Sequence, residues 1–171
     1  MNIPLSQITL PVLLRGLESL DRILHKSQAH AVKAGENADS LAQARLAPDM
    51  YPLAGQVQAA SDAAKACAGR LSGQDIPAFA DTETTFEALF ARIEKTRQFI
   101  LAISPEQVDQ HCGATIVLNM PNGEVSFTRR DYLFKLALPN FYFHLVAAYA
   151  ILRHQGIALG KADYLGNLSE P

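Results

Sequence analysis

The sequence has no tryptophan and only two cysteines in 171 residues. Cys67 and Cys112 lie far apart and form no Cys-x-x-Cys unit, which argues against a disulfide-stapled scaffold or a thiol redox motif. Both read as reduced thiols of a cytoplasmic protein, with Cys67 as core filler. Basic residues never run beyond the pair Arg129-Arg130, and the formal net charge is −2. Recognition through phosphate neutralisation needs a basic stripe, so nucleic acid is not an expected partner. The start, Met1-Asn2-Ile3-Pro4-Leu5, lacks the basic end and apolar run of a secretory signal. No uninterrupted apolar run approaches the roughly 20 residues that span a bilayer, so no membrane is expected either. Serine-nucleophile, phosphate-loop and dinucleotide motifs are missing; Gly160-Lys161 has neither the preceding loop nor the following hydroxyl of a phosphate site.

What is present is ordinary for a globular chain, at 49% hydrophobic and 19% charged residues. The length suits one domain, residues 1–171, with a core that needs no staples. Apolar residues Leu5, Ile8, Val12, Leu13, Leu20 and Leu24 recur at helical spacings and predict a first helix from Leu5 to Ala34, stopped by Gly35. Pro11 sits awkwardly inside it, so the helix is expected to start late or bend there. A short helix follows over Asp39 to Leu46. Leu53, Val57, Ala60, Ala64, Cys67 and Leu71 alternate by four and three, the seam of a second helix packed nearly along its neighbours. Gly73 ends it.

A linker, Gln74 to Asp81, leads to Thr84 and Glu87 at capping-box spacing. Phe86, Leu89, Ile93, Ile100 and Ile103 mark the buried stripe of a third helix. Strand-like flanks around Met120-Pro121-Asn122-Gly123 predict a small β-hairpin, Thr115–Asn119 with Glu124–Thr128. Thr128 and Asp131 then cap a fourth helix running to about Gln155, with Pro139 kinking it or loosening one turn. Apolar residues of the C-terminal segment, Ile157, Leu159, Tyr164 and Leu165, are expected to pack back. The fold class is all-α: a four-helix bundle with one hairpin between its third and fourth helices.

The chemistry-bearing feature is a polar pair. Leu133, Ala137, Ala147 or Ala148, and Ile151 define an apolar stripe on the fourth helix, and Asn140 and His144 fall on it one turn apart. Burying an amide and an imidazole costs a few kcal/mol per unsatisfied group, so partners are required: side chains, water, a metal or a ligand. Gln56, beside the Leu53–Val57–Ala60 seam, is the candidate most expected to face them. Asp62, Lys65 and Arg70 read as a solvated face. Arg153 and His154 read as favourable charge at a helix end, with a contact to Asp163, Asp81 or Glu83 as the alternative. A zinc site needs three imidazole, thiolate or carboxylate ligands; the helix supplies one imidazole, and His25, His30 and His111 contribute only if the fold brings them in.

Four stretches carry a resemblance: Arg45-Leu46-Ala47-Pro48-Asp49-Met50-Tyr51-Pro52-Leu53, Asp81-Thr82-Glu83-Thr84-Thr85-Phe86, Leu138-Pro139-Asn140-Phe141-Tyr142-Phe143-His144, and Leu159-Gly160-Lys161-Ala162-Asp163-Tyr164-Leu165-Gly166. Together they resemble a bacterial family of domains of unknown function within the DinB-like (YfiT-like) superfamily, whose members are grouped as metalloenzymes. The resemblance implies the DinB-like four-helix bundle, often a homodimer. It also implies a divalent metal held by three histidines, one on the second helix and two spaced one turn apart on a later one; some members are thiol-dependent transferases or hydrolases. By position, His144 matches the second of the paired histidines as a metal ligand, Asn140 replaces the first, and Gln56 stands at the second-helix place. Two of three ligands are thus exchanged. The expected site is a polar pocket around Asn140, His144 and Gln56, a degenerate metal or small-molecule site. The alternative is a non-catalytic dimeric or ligand-binding module whose polar core fixes helix register.

Overall fold

The computed structural model describes residues 3–110 and 115–166. His111 and Cys112 lie outside them.

Pro11 decides where the first helix begins. A 3₁₀ turn over Ser6–Ile8 precedes it, and α1 runs Leu10–Ala34, so that Pro11 falls in the first turn, where no backbone N–H is needed. Gly35 ends α1 at φ 75°, and the Glu36 N–H reaches back to the Ala31 carbonyl at 2.9 Å. The expected short helix is a 3₁₀ turn, Ala38–Gln43. α2 spans Leu53–Ser72 with Pro52 as its N-cap, and all six seam residues from Leu53 to Leu71 are fully buried.

α3 spans Phe86–Leu101. Its cap is Thr85, one residue beyond the expected Thr84, and its hydroxyl accepts from the Ala88 N–H at 3.2 Å. Asp39 supplies a second acceptor, taking the Phe86 N–H at 2.7 Å. A short α4, Pro105–Gln110, stands where sequence gave no helical signal. The hairpin pairs β1, Ile116–Met120, with β2, Gly123–Phe127, in register Ile116↔Phe127 to Met120↔Gly123, leaving Pro121 and Asn122 as the turn.

The last long helix, α5, covers Arg129–His154 and is capped by the Thr128 hydroxyl accepting from the Asp131 N–H. Pro139 has no N–H and its ring crowds the carbonyl four residues back. The helix answers with a π segment over Tyr132–Ala137, in which the Leu138 N–H bonds the Leu133 carbonyl five residues away. The short α6, Lys161–Leu165, packs on α1, with Asp163 bonding Lys26 at 2.8 Å. Ile157 and Leu159 are buried as expected.

The four long helices form a ring in the order α1–α3–α2–α5, with α2 packed most extensively on α5. One apolar cluster runs through all four. α5 is also long and apolar enough to cross a membrane by length and composition, its most apolar 18-residue window reaching a mean hydropathy of 1.2. This corrects the expectation that no stretch qualifies: Leu136 to Leu152 contains no Asp, Glu, Lys or Arg, and its scattered Asn, His and Tyr break the run without adding charge. In the fold, one side of α5 is a core face of the bundle.

Candidate functional site

The π segment moves the helix phase. Beyond Ala137, Phe141 and Leu145 take the core places that regular periodicity gives Asn140 and His144, while Ala147, Ala148 and Ile151 are buried as expected, with Leu152 beside them. Asn140 is therefore exposed and His144 half-buried, rather than both lying in the core. The expected burial of the pair is corrected by one inserted residue.

Gln56 is where the sequence placed it, pointing inward from α2 at 1% exposure. Its Nε2 donates to the Tyr51 carbonyl at 3.2 Å, and its Oε1 lies 2.8 Å from His144 Nδ1. A carbonyl can only accept, which fixes the amide: nitrogen toward Tyr51, oxygen toward the imidazole. The amide oxygen also only accepts, so His144 Nδ1 carries the proton and Nε2 carries the lone pair. Nε2 has no hydrogen bond among the described residues and is not sealed from solvent. Tyr51 lies nearly parallel to the imidazole, ring centres 6.3 Å apart, and Phe143 meets it edge-on at 5.3 Å. Burial pushes the His144 pKa below its ordinary value, so the ring is neutral at pH 7.

His144 and Asn140 line the same cleft, of about 450 Å³, running between α2 and α5 toward the hairpin. Asn140 makes no hydrogen bond to His144 or Gln56 among the described residues. The structure thus joins Gln56 to His144 and leaves Asn140 at the rim. His25 is elsewhere, against Asp21 and stacked on Phe90, and His30 is exposed.

A divalent metal does not fit this set. Among the described residues no three His, Cys, Asp or Glu side chains come together as a metal site. Gln56 spends its oxygen on His144, and Asn140 offers only a neutral amide at the rim. Cys67 is no substitute: it is buried, and desolvation raises its thiol to about 12.

The Asp62 neighbourhood was misread as a solvated face. Lys65 is 5% exposed and bonds Asp62 at 2.7 Å. Buried Arg92 of α3 reaches Asp62 at 2.8 Å, Asp81 at 3.0 Å and Glu83 at 3.0 Å, pinning the linker over α2 and α3. No spacing rule links residues 62, 81, 83 and 92, so sequence offered no signal. Asp81 and Glu83 are thereby taken, as Asp163 is by Lys26; Arg153 instead donates to the Ile157 carbonyl, leaving its helix-end role structural.

Residues 5–165 match the family model described as "Domain of unknown function (DUF1993)". No curated protein matches the chain. The chain is similar to a solved DinB family member protein from Shewanella denitrificans, at 35% identity and a TM-score of 0.89 over 98% of this chain and 94% of that one. With the same bundle along almost its whole length, the chain belongs to the DUF1993 family, within the DinB-like fold family.

Proposed function

We propose that the protein binds a small molecule in the α2–α5 cleft, using neutral His144 in place of a metal centre. The observation that carries this is the chain Tyr51 carbonyl–Gln56–His144, which holds one tautomer and leaves the Nε2 lone pair open. In this arrangement Nε2 accepts a hydrogen bond from an O–H or N–H of the ligand, and can take up its proton. Its lowered pKa makes it a better acceptor than cation at neutral pH. Related bundles place a metal ligand at the corresponding position; here Gln56 serves as an orienting group for the imidazole. Asp62, the carboxylate of the same cleft, is held by Lys65 and Arg92, so the reading is of binding, and a cytoplasmic location accompanies it.

Two-bond ¹H–¹⁵N correlation spectra of the imidazole test it. At pH 7 Nδ1 is expected to be protonated and Nε2 not, and Gln56→Leu should shift the ring toward the Nε2–H form. Gln56→Leu should also cost about 1–3 kcal/mol, since it leaves a partly buried donor unpaired. A wild-type Nε2–H ring would overturn the orientation argument. Stoichiometric zinc binding that disappears in His144→Ala would overturn the metal-free reading.

A second reading concerns assembly. The outward side of α5 is apolar: Phe143 is 59% exposed and Val146 49% exposed. We propose that a second copy of this chain covers it. About a two-fold axis at Val146–Ala147, an antiparallel α5 would set large Phe143 against small Ala150, so the face is complementary to itself. Sedimentation velocity at micromolar concentration should show a dimer, and Val146→Glu a monomer that keeps its helical spectrum. A wild-type monomer would remove this reading.

A further inference from the structure

The cleft that holds His144 has a second polar end. It follows α2 from Ala59 to Arg70, about 16 Å at 1.5 Å per residue, so His144 and Arg70 stand at opposite ends of an elongated groove. Between them Ala59, Ala63 and Ala66 form a smooth α2 wall, while Leu118 and Met120 of the hairpin approach from the far end. Alanine methyls line most of this middle, with Asp62 set between Ala59 and Ala63.

Arg70 is half-buried at the end of α2. Its Nη1 donates to the Tyr132 hydroxyl at 3.2 Å, and its guanidinium stands 5.8 Å from the centre of the Tyr132 ring. It has no carboxylate partner among the described residues. The groove does contain one carboxylate, Asp62, but that group is committed to Lys65 and Arg92. A guanidinium presents five N–H donors in a planar fork, and one phenol oxygen engages only one of them. The remaining donors match a carboxylate, which pairs with such a fork through two parallel bonds.

Resting on the reading of His144 as the binding centre, we infer that the ligand is an elongated carboxylate, its anionic end on Arg70 and a hydroxyl or N–H about a groove's length away on His144 Nε2. The alanine wall takes the unbranched body between them. Arg70 sets both the charge and the length of what the groove accepts, since a shorter molecule reaches one end only.

ω-Hydroxydodecanoate has about this reach when extended and is the probe. α,ω-Dodecanediol lacks the anion, and ω-hydroxyhexanoate lacks the length. Titration calorimetry on the full chain is combined with the His144 imidazole signals, which separate groove binding from adsorption to the exposed face of α5. The hydroxy acid should bind, perturb His144, and lose about ten- to a hundredfold in affinity in Arg70→Gln, with Arg70→Lys in between. The diol should bind the wild type that much more weakly and be indifferent to Arg70→Gln. Equal affinity of acid and diol, both perturbing His144, would overturn the carboxylate assignment and leave the His144 site standing. Failure of every probe to perturb His144 would overturn both. Unchanged melting temperatures of the Arg70 variants show that a lost affinity is not a lost fold.

Discussion

Gly16→Ala is expected to destabilise the protein by about 1–3 kcal/mol, the reverse of what the change does in most helices. In an unencumbered helix interior, replacing glycine by alanine favours folding by about 1 kcal/mol. Gly16 lies in the middle of α1, and a Cβ there would sit 2.3 Å from Cε1 and 2.6 Å from Cζ of Phe141. Both distances are far inside van der Waals contact. The Phe141 ring is fully buried, so it cannot swing into solvent to make room. Either the ring leaves its rotamer or α1 and α5 separate, and each costs packing. Thermal unfolding followed by circular dichroism should show a fall of several degrees. Shortening the opposing side chain supplies the control. Phe141→Leu alone opens a gap and destabilises, but the double variant should be more stable than the sum of the two effects predicts. Strict additivity, or a raised melting temperature in Gly16→Ala, would show that the ring has space the structure does not reveal.

Arg92→Leu should cost about 2–4 kcal/mol, near the lower part of the range for breaking a buried ion pair, because its carboxylate partners retain some solvent. The Arg92 side chain is 1% exposed, against 13% for Glu83, 44% for Asp62 and 59% for Asp81. Glu83 is thus the partner left worst placed. Burial alone would raise its pKa, but hydrogen bonds from Gln58, its own backbone and Arg92, together with the Arg92 charge, hold the carboxyl below its ordinary value. A carboxyl with a depressed folded-state pKa binds fewer protons than its unfolded counterpart. Its stabilisation is complete above the unfolded value, about 4.3, and is lost as pH falls through the folded one. The wild type should therefore lose stability steeply on acidification below that value. Arg92→Leu should start lower and fall less steeply, because the interaction being titrated is already gone. Melting temperatures between neutral pH and pH 3 decide it. Parallel curves for the two proteins would show that Glu83 is not coupled to Arg92.

The sequence and the structure part company for identifiable reasons. The α2 seam was legible because Leu53 to Leu71 obey one unbroken period, and Gln56 because it lies beside that seam with no charge to draw it outward. The four-helix bundle and its hairpin followed from such stripes and from the Met120–Gly123 turn, and its DinB-like character from the four stretches that carry the resemblance. The exposure of Asn140 was not legible. Periodicity counts residues at a fixed 100° per step, and Pro139 announces a disturbance without saying whether the helix bends or takes in a residue. Arg92 was invisible for a different reason. Its carboxylates come from α2 and from two places in the linker, and a basic residue in a helix gives no sign of burial until the chain around it is folded. Arg70 belongs with it: in the sequence it is one more cation near a helix end, and only the groove gives it an address.

The π segment of α5 has an evolutionary reading. A residue gained or lost inside a helix normally rotates everything beyond it and is removed by selection. Here the wider π turn takes in the extra residue, so that Phe141 stays in the interior and His144 at the edge of the cleft. A sister chain one residue shorter between Tyr132 and Ala137 would keep the same residues inward by running as a regular α-helix through that stretch. A gap at that point in an alignment would therefore mark a chain without the π turn whose imidazole still faces the cleft, whereas the same gap one turn further on would rotate it away.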